Sequence, residues 1–293
     1  MGRATNMGSM SHSGTAGGPR SEVPWINLLG MRLSALDLDR AVDRVLAAVE
    51  RREGGYVCIR DAHGVVKCHH DPALRAVHNN ALLVTPDGMP LVWALRLAGH
   101  READRVYGPD LMLALFDRGR DHGLRHFLYG ATPETLDLLE ARLLAQFPGT
   151  QIAGRHAPPF RALTEAERSD VAAQINASGA DIVWVGLGTP KQELWMAEMQ
   201  PLLPSAVLIG VGAAFDFHAG GKRQAPRFIQ RSGLEWLFRL ASEPRRLWRR
   251  YAVTVPSFML LCACQALRLR SFPVPPAPDA PQRAAPEGPA MGV

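Results

Sequence analysis

The sequence predicts an α/β fold: a Rossmann-like parallel sheet with helices on both faces, plus a basic C-terminal helical appendage that docks on a membrane. Three observations carry this expectation. The runs Ile182 to Val185 and Ala206 to Val211 are apolar and β-prone without alternation, as strands buried on both faces of a parallel sheet are. Strand-like and helix-like segments alternate through the middle of the chain, which is the β-α-β-α pattern of such a sheet. Finally, Pro226 to Tyr251 crowds together Arg227, Arg231, Arg239, Arg245, Arg246, Arg249 and Arg250 against Glu235 and Glu243.

Taken in order, residues 1–22 are small, polar and aperiodic, and read as a disordered extension without the apolar core of a secretory signal. The α/β core is expected over 23–222. Ile26 to Ala35 fits two short strands around Gly30. Asp37 caps a helix to about Glu50, with Ala41, Val42, Val45, Leu46 and Val49 on one apolar face. Tyr56 to Arg60 is a strand, and a helix follows from about His63. Ala81 to Thr85 is the next strand, closed by Pro86-Asp87-Gly88 and followed by a helix that Gly99 stops. A loop from Arg105 to Asp110 enters a helix over Leu111 to Arg120. The strand His126 to Tyr129 leads through Gly130 and Thr132 into a helix to about Phe147. Gln151 to Ala153 is a short strand, and Thr164 caps a helix to about Ala177.

The segment Asp181 to Trp195 organises the rest. After its strand come Gly186 and Gly188, where the backbone turns sharply. Thr189 then fits an N-cap, Pro190 the first helical position, and Gln192 the partner of a capping box. Lys191, Gln192 and Glu193 would stand at the mouth of that helix. Ligands of open α/β sheets bind outside the carboxyl ends of the strands, and a helix N-terminus there favours an anion such as a diphosphate.

The appendage is expected over 223–271. Trp236, Leu240, Leu247 and Tyr251 fall near one helical face, and the apolar stretch Ala252 to Leu267 is interrupted by Pro256, Ser257 and Gln265. It is shorter than the roughly 20 residues of a spanning helix, so the expectation is a helical end lying on the membrane surface. Residues 272–293 are rich in proline and alanine and read as a disordered tail. The chain has 293 residues, a 47% hydrophobic fraction and a formal net charge of +5, enough for one sizeable core. Cys58, Cys68, Cys262 and Cys264 show no CxxC pairing, and a reducing, cytosolic compartment is expected.

Each candidate has a plain alternative. Asp87, at a strand end, is well placed as a general base, or is a turn aspartate bonding its own backbone. Gln192 can close a capping box only, and Lys191 and Glu193 can be solvated helix residues. His63 beside Asp61 fits either function or capping. Gly186-Leu187-Gly188 lacks the third glycine of a dinucleotide fingerprint. Asp37-Leu38-Asp39 has a D-x-D spelling but sits at a helix start, and His69-His70-Asp71 has no second cluster with ligand spacing. Neither predicts a metal, and no cofactor is expected. Arginines interleaved with tryptophan suit phosphate or lipid headgroups. No nucleic-acid module accompanies them.

ALLVTPDGMPLVW, RVYGPDL, VGLGTPKQELW, GVGAAFDFHAG with RQAPRF, and GLEWLFRLASEPRRLWRRY occur in that order. Over about residues 26–251 the chain resembles the WecG/TagA/CpsF family of bacterial glycosyltransferases. The resemblance implies inverting, metal-independent transfer of a sugar, often of the N-acetylmannosamine type, from a UDP-sugar to a polyprenyl-diphosphate-linked sugar at the cytoplasmic membrane face. It implies Asp87 as base, Arg105 with the C-terminal arginines stabilising diphosphate, Gln192 near nucleotide and donor, Asp216 as a nucleoside contact, and Arg239, Arg246 and Arg249 reaching over the active site. With these go the rim residues His63, Gly186, Lys191 and Glu193. Two departures stand out: Cys58-Ile59-Arg60 replaces the family's T-x-N, and Pro159 precedes Phe160 where many members have a Gly-Tyr-Phe loop. The competing functions are a non-catalytic membrane-associated adaptor in polysaccharide assembly and an NAD-type oxidoreductase. Donor sugar, acceptor, polymer and oligomeric state stay open.

Overall fold

A six-stranded parallel sheet forms the centre of the computed structural model, which describes residues 23–221 and 225–275. The extension 1–22, the tail from 276 onward and the side chain of Arg246 lie outside the described residues.

A hairpin comes first, β1 (Trp25–Leu28) and β2 (Met31–Ser34), paired antiparallel. Its turn residues Leu29 and Gly30 have φ of 55° and 87°, the left-handed pair that matches the twist of two strands joined by a two-residue loop. Helix α1 (Leu38–Glu50) follows, capped by Asp37 through the Arg40 amide. Next come β3 (Gly55–Arg60), α2 (Ala62–His70), α3 (Pro72–Asn79), β4 (Leu83–Pro86), α4 (Met89–Leu97) and α5 (Gly108–Gly119). The chain continues with β5 (Arg125–Gly130), α6 (Pro133–Gln146), β6 (Gln151–His156), α7 (Glu165–Ser178), β7 (Ile182–Gly186), α8 (Lys191–Met199), β8 (Val207–Gly210) and α9 (Ala214–His218). The sheet order is β4-β3-β8-β7-β5-β6.

Alternate residues of one strand feed two cores. Val183 and Val185 join Tyr56, Val84, Phe127 and Leu208 on one face. Ile182 and Trp184 join Val57, Leu83, Leu128 and Ile209 on the other. This explains why the run is apolar without alternation. After β5 the chain moves outward to β6, whereas after β7 it returns inward to β8, so the crevice between β5 and β7 is a topological switch point. Gly130 and Gly186 meet there. A Cβ on Gly130 would lie 2.8 Å from the Gly186 backbone, and one on Gly186 would lie 2.6 Å from the Phe215 ring.

Some local expectations change. Thr189 does not cap α8 and there is no capping box: Pro190 is the cap residue, and no side chain bonds the first amides. The Gln192 amide instead accepts from the Gly188 N–H at 3.1 Å, and Thr189 turns toward Glu193. Helix α5 starts at Gly108 rather than Leu111, because Pro109 suits a first turn, where its missing N–H costs nothing.

The C-terminal part is helical but not one helix. It comprises α10 (Arg227–Arg231), α11 (Glu235–Ser242) and α12 (Pro244–Ala266), with a break at Glu243 and Pro256 accommodated inside α12. The break still lets Trp236 and Tyr251 pack, ring centroids 5.7 Å apart. Helix α12 runs back along α2 to the hairpin. There Gln265 accepts from the Leu29 amide and donates to Asn27 O, both at 2.9 Å, and Asn27 donates to Phe272 O at 2.8 Å. Phe272 is buried in the core. Among the described residues no helix is long and apolar enough to cross a membrane.

Candidate active site

Every strand of the sheet runs the same way, so the turns after the strands share one rim. Strand β4 delivers Asp87 to it, and the Asp87 amide donates to the carbonyl of Arg60, the last residue of neighbouring β3, at 2.8 Å. Arg105, in the loop before α5, donates through Nη2 and Nε to Asp87 Oδ1 at 2.9 and 3.2 Å, and through Nε to the Asp87 carbonyl. Its guanidinium stacks 4.3 Å from the Tyr107 ring centroid. The same guanidinium donates to Glu235 Oε2 at 2.6 Å and to Gln230 Oε1 at 3.1 Å. Arg239 holds the other oxygen of Glu235 at 2.7 Å. One core arginine thus ties α10 and α11 to the strand end that bears Asp87.

Burial raises the Asp87 pKa above the ordinary carboxylate value; Arg105 opposes this and Glu235 adds to it. For Arg105, burial disfavours the charge, but Asp87 and Glu235 outweigh it and raise its pKa. The result is a carboxylate of increased basicity beside cations that keep their charge.

Asp61, at the end of β3, caps α2 through the Gly64 amide at 2.8 Å and faces Arg250 at 3.5 Å. Its neighbour His63 shares a hydrogen bond with Thr254 of α12 at 2.9 Å. Burial and Arg250 push the His63 pKa down to about 4, so the ring is neutral near pH 7. Asp61, His63, Asp87, Arg105, Glu235 and Arg239 line one cavity of about 650 Å³, whose remaining wall is mostly apolar. A second cavity, about 470 Å³ and polar, shares Arg105 and Gln230 with it and is bordered by Asp37, Asp104, Asp110 and Arg231.

The other expected residues gather farther along the rim. Strand β7 is separated from β4 by β3 and β8, roughly 14 Å at ordinary strand spacing. Gly186 ends β7, and Asp216 follows β8 in the first turn of α9, next to Phe215 over Gly186. Lys191 is exposed at the start of α8. Gln192 and Glu193, by contrast, are buried, so Glu193 is not a solvated helix residue. Gln192 donates to Glu193 Oε1 at 2.9 Å, and Arg60 from β3 forms an ion pair with that oxygen. Arg60 also donates to Thr189 at 3.2 Å. This buried cluster fixes the glycine turn after β7 and links it to the strand beside Asp87. Arg249 stands apart, exposed and 5.4 Å from the Trp248 ring centroid.

Plain readings hold elsewhere. Asp37 and Asp71 are helix caps. Cys68 and His78 lie 3.3 Å apart, but both are buried; burial pushes the thiol up to about 12 and the imidazole down to about 3, leaving an inert pair. Sequence reasoning missed Glu235, Gln230 and the pairing of Arg60. The available signal was small: Glu235 is one of two acids among many arginines, and Arg60 closes the Cys58-Ile59-Arg60 stretch singled out in the sequence.

The arrangement offers a basic carboxylate, arginines for a developing anion, and strand-to-helix turns that present backbone amides, the needs of group transfer from an anionic leaving group. The family model described as "Glycosyl transferase WecG/TagA/CpsF family" matches residues 26–272. The chain therefore belongs to the WecG/TagA/CpsF family of glycosyl transferases, which act in cell-surface polysaccharide synthesis.

Proposed function

We propose that the protein is an inverting, metal-independent glycosyltransferase that moves an N-acetylmannosamine-type sugar or related hexose from a UDP-sugar to a polyprenyl-diphosphate-linked sugar. The observation that carries this reading is the Asp87–Arg105 pair, 2.9 Å apart at the inner end of a cavity lined by residues of α4, α11 and α12. The acceptor hydroxyl attacks the anomeric carbon and its proton passes to Asp87. The bond from that carbon to the β-phosphate oxygen breaks, and its electron pair leaves with UDP. Arg105 and Arg239 offset the growing negative charge in place of a metal. The turns after β7 and β8, with Gly186, Lys191 and Asp216, hold the donor, and Gln192 positions the first of them.

The protein acts as a peripheral protein on the cytoplasmic face of the membrane. Supporting this, α10 to α12 expose Phe228, Leu237, Trp248, Val253 and Leu260 among arginines, a composition that suits an anionic lipid surface. The test is Asp87→Asn in a transfer assay with lipid-linked acceptor. The rate should fall by roughly 10²-fold or more while UDP affinity stays within about threefold, as expected when only a proton acceptor is lost. An unchanged rate removes the base assignment.

A further inference from the structure

The cavity above Asp87 is larger and far less polar than a sugar requires. Its inner end holds Asp87, Arg105, Glu235 and Arg239. Its outer part is formed by Trp93, Ala94 and Leu97 of α4 facing Val255, Met259 and Cys262 of α12. The spacings are helical on both sides, so each helix turns one continuous apolar stripe toward the space. Leu97 and Met259, 89% and 66% exposed, mark where it opens. A compact sugar would leave this wall bare.

We infer that the passage between α4 and α12 binds the hydrocarbon chain of an anionic lipid, whose phosphate end lies toward the polar inner end of the cavity. The inference rests on the transferase reading above and adds where the chain of the acceptor lies. Two features select a hydrocarbon over a peptide. The walls are helices whose backbone groups are already paired, so a peptide backbone would find few partners and stay unsatisfied. The outlet also suits a long hydrocarbon, since the apolar stripe continues past Leu97 and Met259 to Val253 and Leu260, exposed on α12. The volume of about 650 Å³ takes only the first isoprene-sized segments, and the remainder of a long chain would leave past Leu97 toward the exposed apolar face of α12.

The test uses the full chain and soluble probes. Isopentenyl, geranyl and farnesyl diphosphate are titrated against tryptophan fluorescence, with UDP titrated separately. Each buried methylene adds roughly fourfold to affinity, so farnesyl diphosphate should bind at least about 30-fold tighter than isopentenyl diphosphate. Ala94→Phe and Cys262→Phe, which fill the passage, should reduce that preference to under about threefold with UDP affinity unchanged. A flat chain-length series in the unaltered protein that still binds UDP overturns the passage and leaves the transferase reading standing. A preference that persists in both filled variants, with UDP binding intact, assigns it to the outer surface and also overturns the passage. If neither UDP nor any prenyl diphosphate binds, both readings fall.

Discussion

Arg105 and Glu235 lie 130 residues apart in sequence, yet their side chains meet at 2.6 Å over the strand end that carries Asp87. The contact makes the C-terminal helices part of the site. It also places a second carboxylate where it raises the Asp87 pKa.

Glu235→Gln should therefore move the acid limb of the pH–rate profile to lower pH. The base must be deprotonated, so rate rises with pH through its pKa, and removing a neighbouring negative charge lowers that pKa. Measuring kcat/KM across pH 4 to 8 checks this. An acid limb that stays in place or moves upward contradicts the coupling.

Arg60 and Glu193 form a pair almost wholly out of water. Removing one partner leaves the other charge buried, so Arg60→Met or Glu193→Gln alone should cost about 3–5 kcal/mol. The double replacement should cost clearly less than the sum of the two. Urea unfolding of all four proteins gives the cycle. Additive losses would mean that the pair acts as two independent residues.

Three histidines are held neutral by burial: His63 with a pKa near 4, and His78 and His126 near 3. The unfolded chain takes up these protons near pH 6.5 and the folded chain does not. Stability from these groups is thus present above pH 6.5 and is lost as pH falls toward 4 and then 3. Unfolding free energy should rise with pH across that window, and His63→Gln should flatten the slope. An unaltered slope in that variant excludes His63 as a contributor.

Gly186→Ala should disturb the donor side of the rim selectively. Its Cβ would sit 2.6 Å from the Phe215 ring, next to Asp216. Overpacking of this kind costs about 1–3 kcal/mol, and displacing Phe215 should weaken UDP binding. Gly123→Ala meets nothing within 4 Å and serves as the control, since its φ of 63° is strained without crowding a ligand turn. Equal UDP affinity in both variants would separate Gly186 from the donor site.

Much of the architecture was legible because its causes are local. Asp37, Asp61, Thr132 and Thr164 each cap the helix that follows by bonding an amide three residues on, and such signals lie within one turn of chain. Unalternating runs marked β7 and β8, since burial on both faces leaves no polar side. Thr189-Pro190 misled because it is a good local cap signal, but Arg60 reaches the threonine hydroxyl from β3, and that hydroxyl turns to Glu193 rather than to the first amides.

By itself the sequence determined a parallel α/β core with its strand-to-helix turns on one rim, through periodicity and caps that act over a few residues. The tertiary structure alone decided that Glu235 closes on Arg105, that Arg60 neutralises Glu193 in the interior, and that α4 and α12 bound an apolar passage. Those are meetings between residues far apart in the chain. They depend on strand order and helix packing, which no short window of sequence contains.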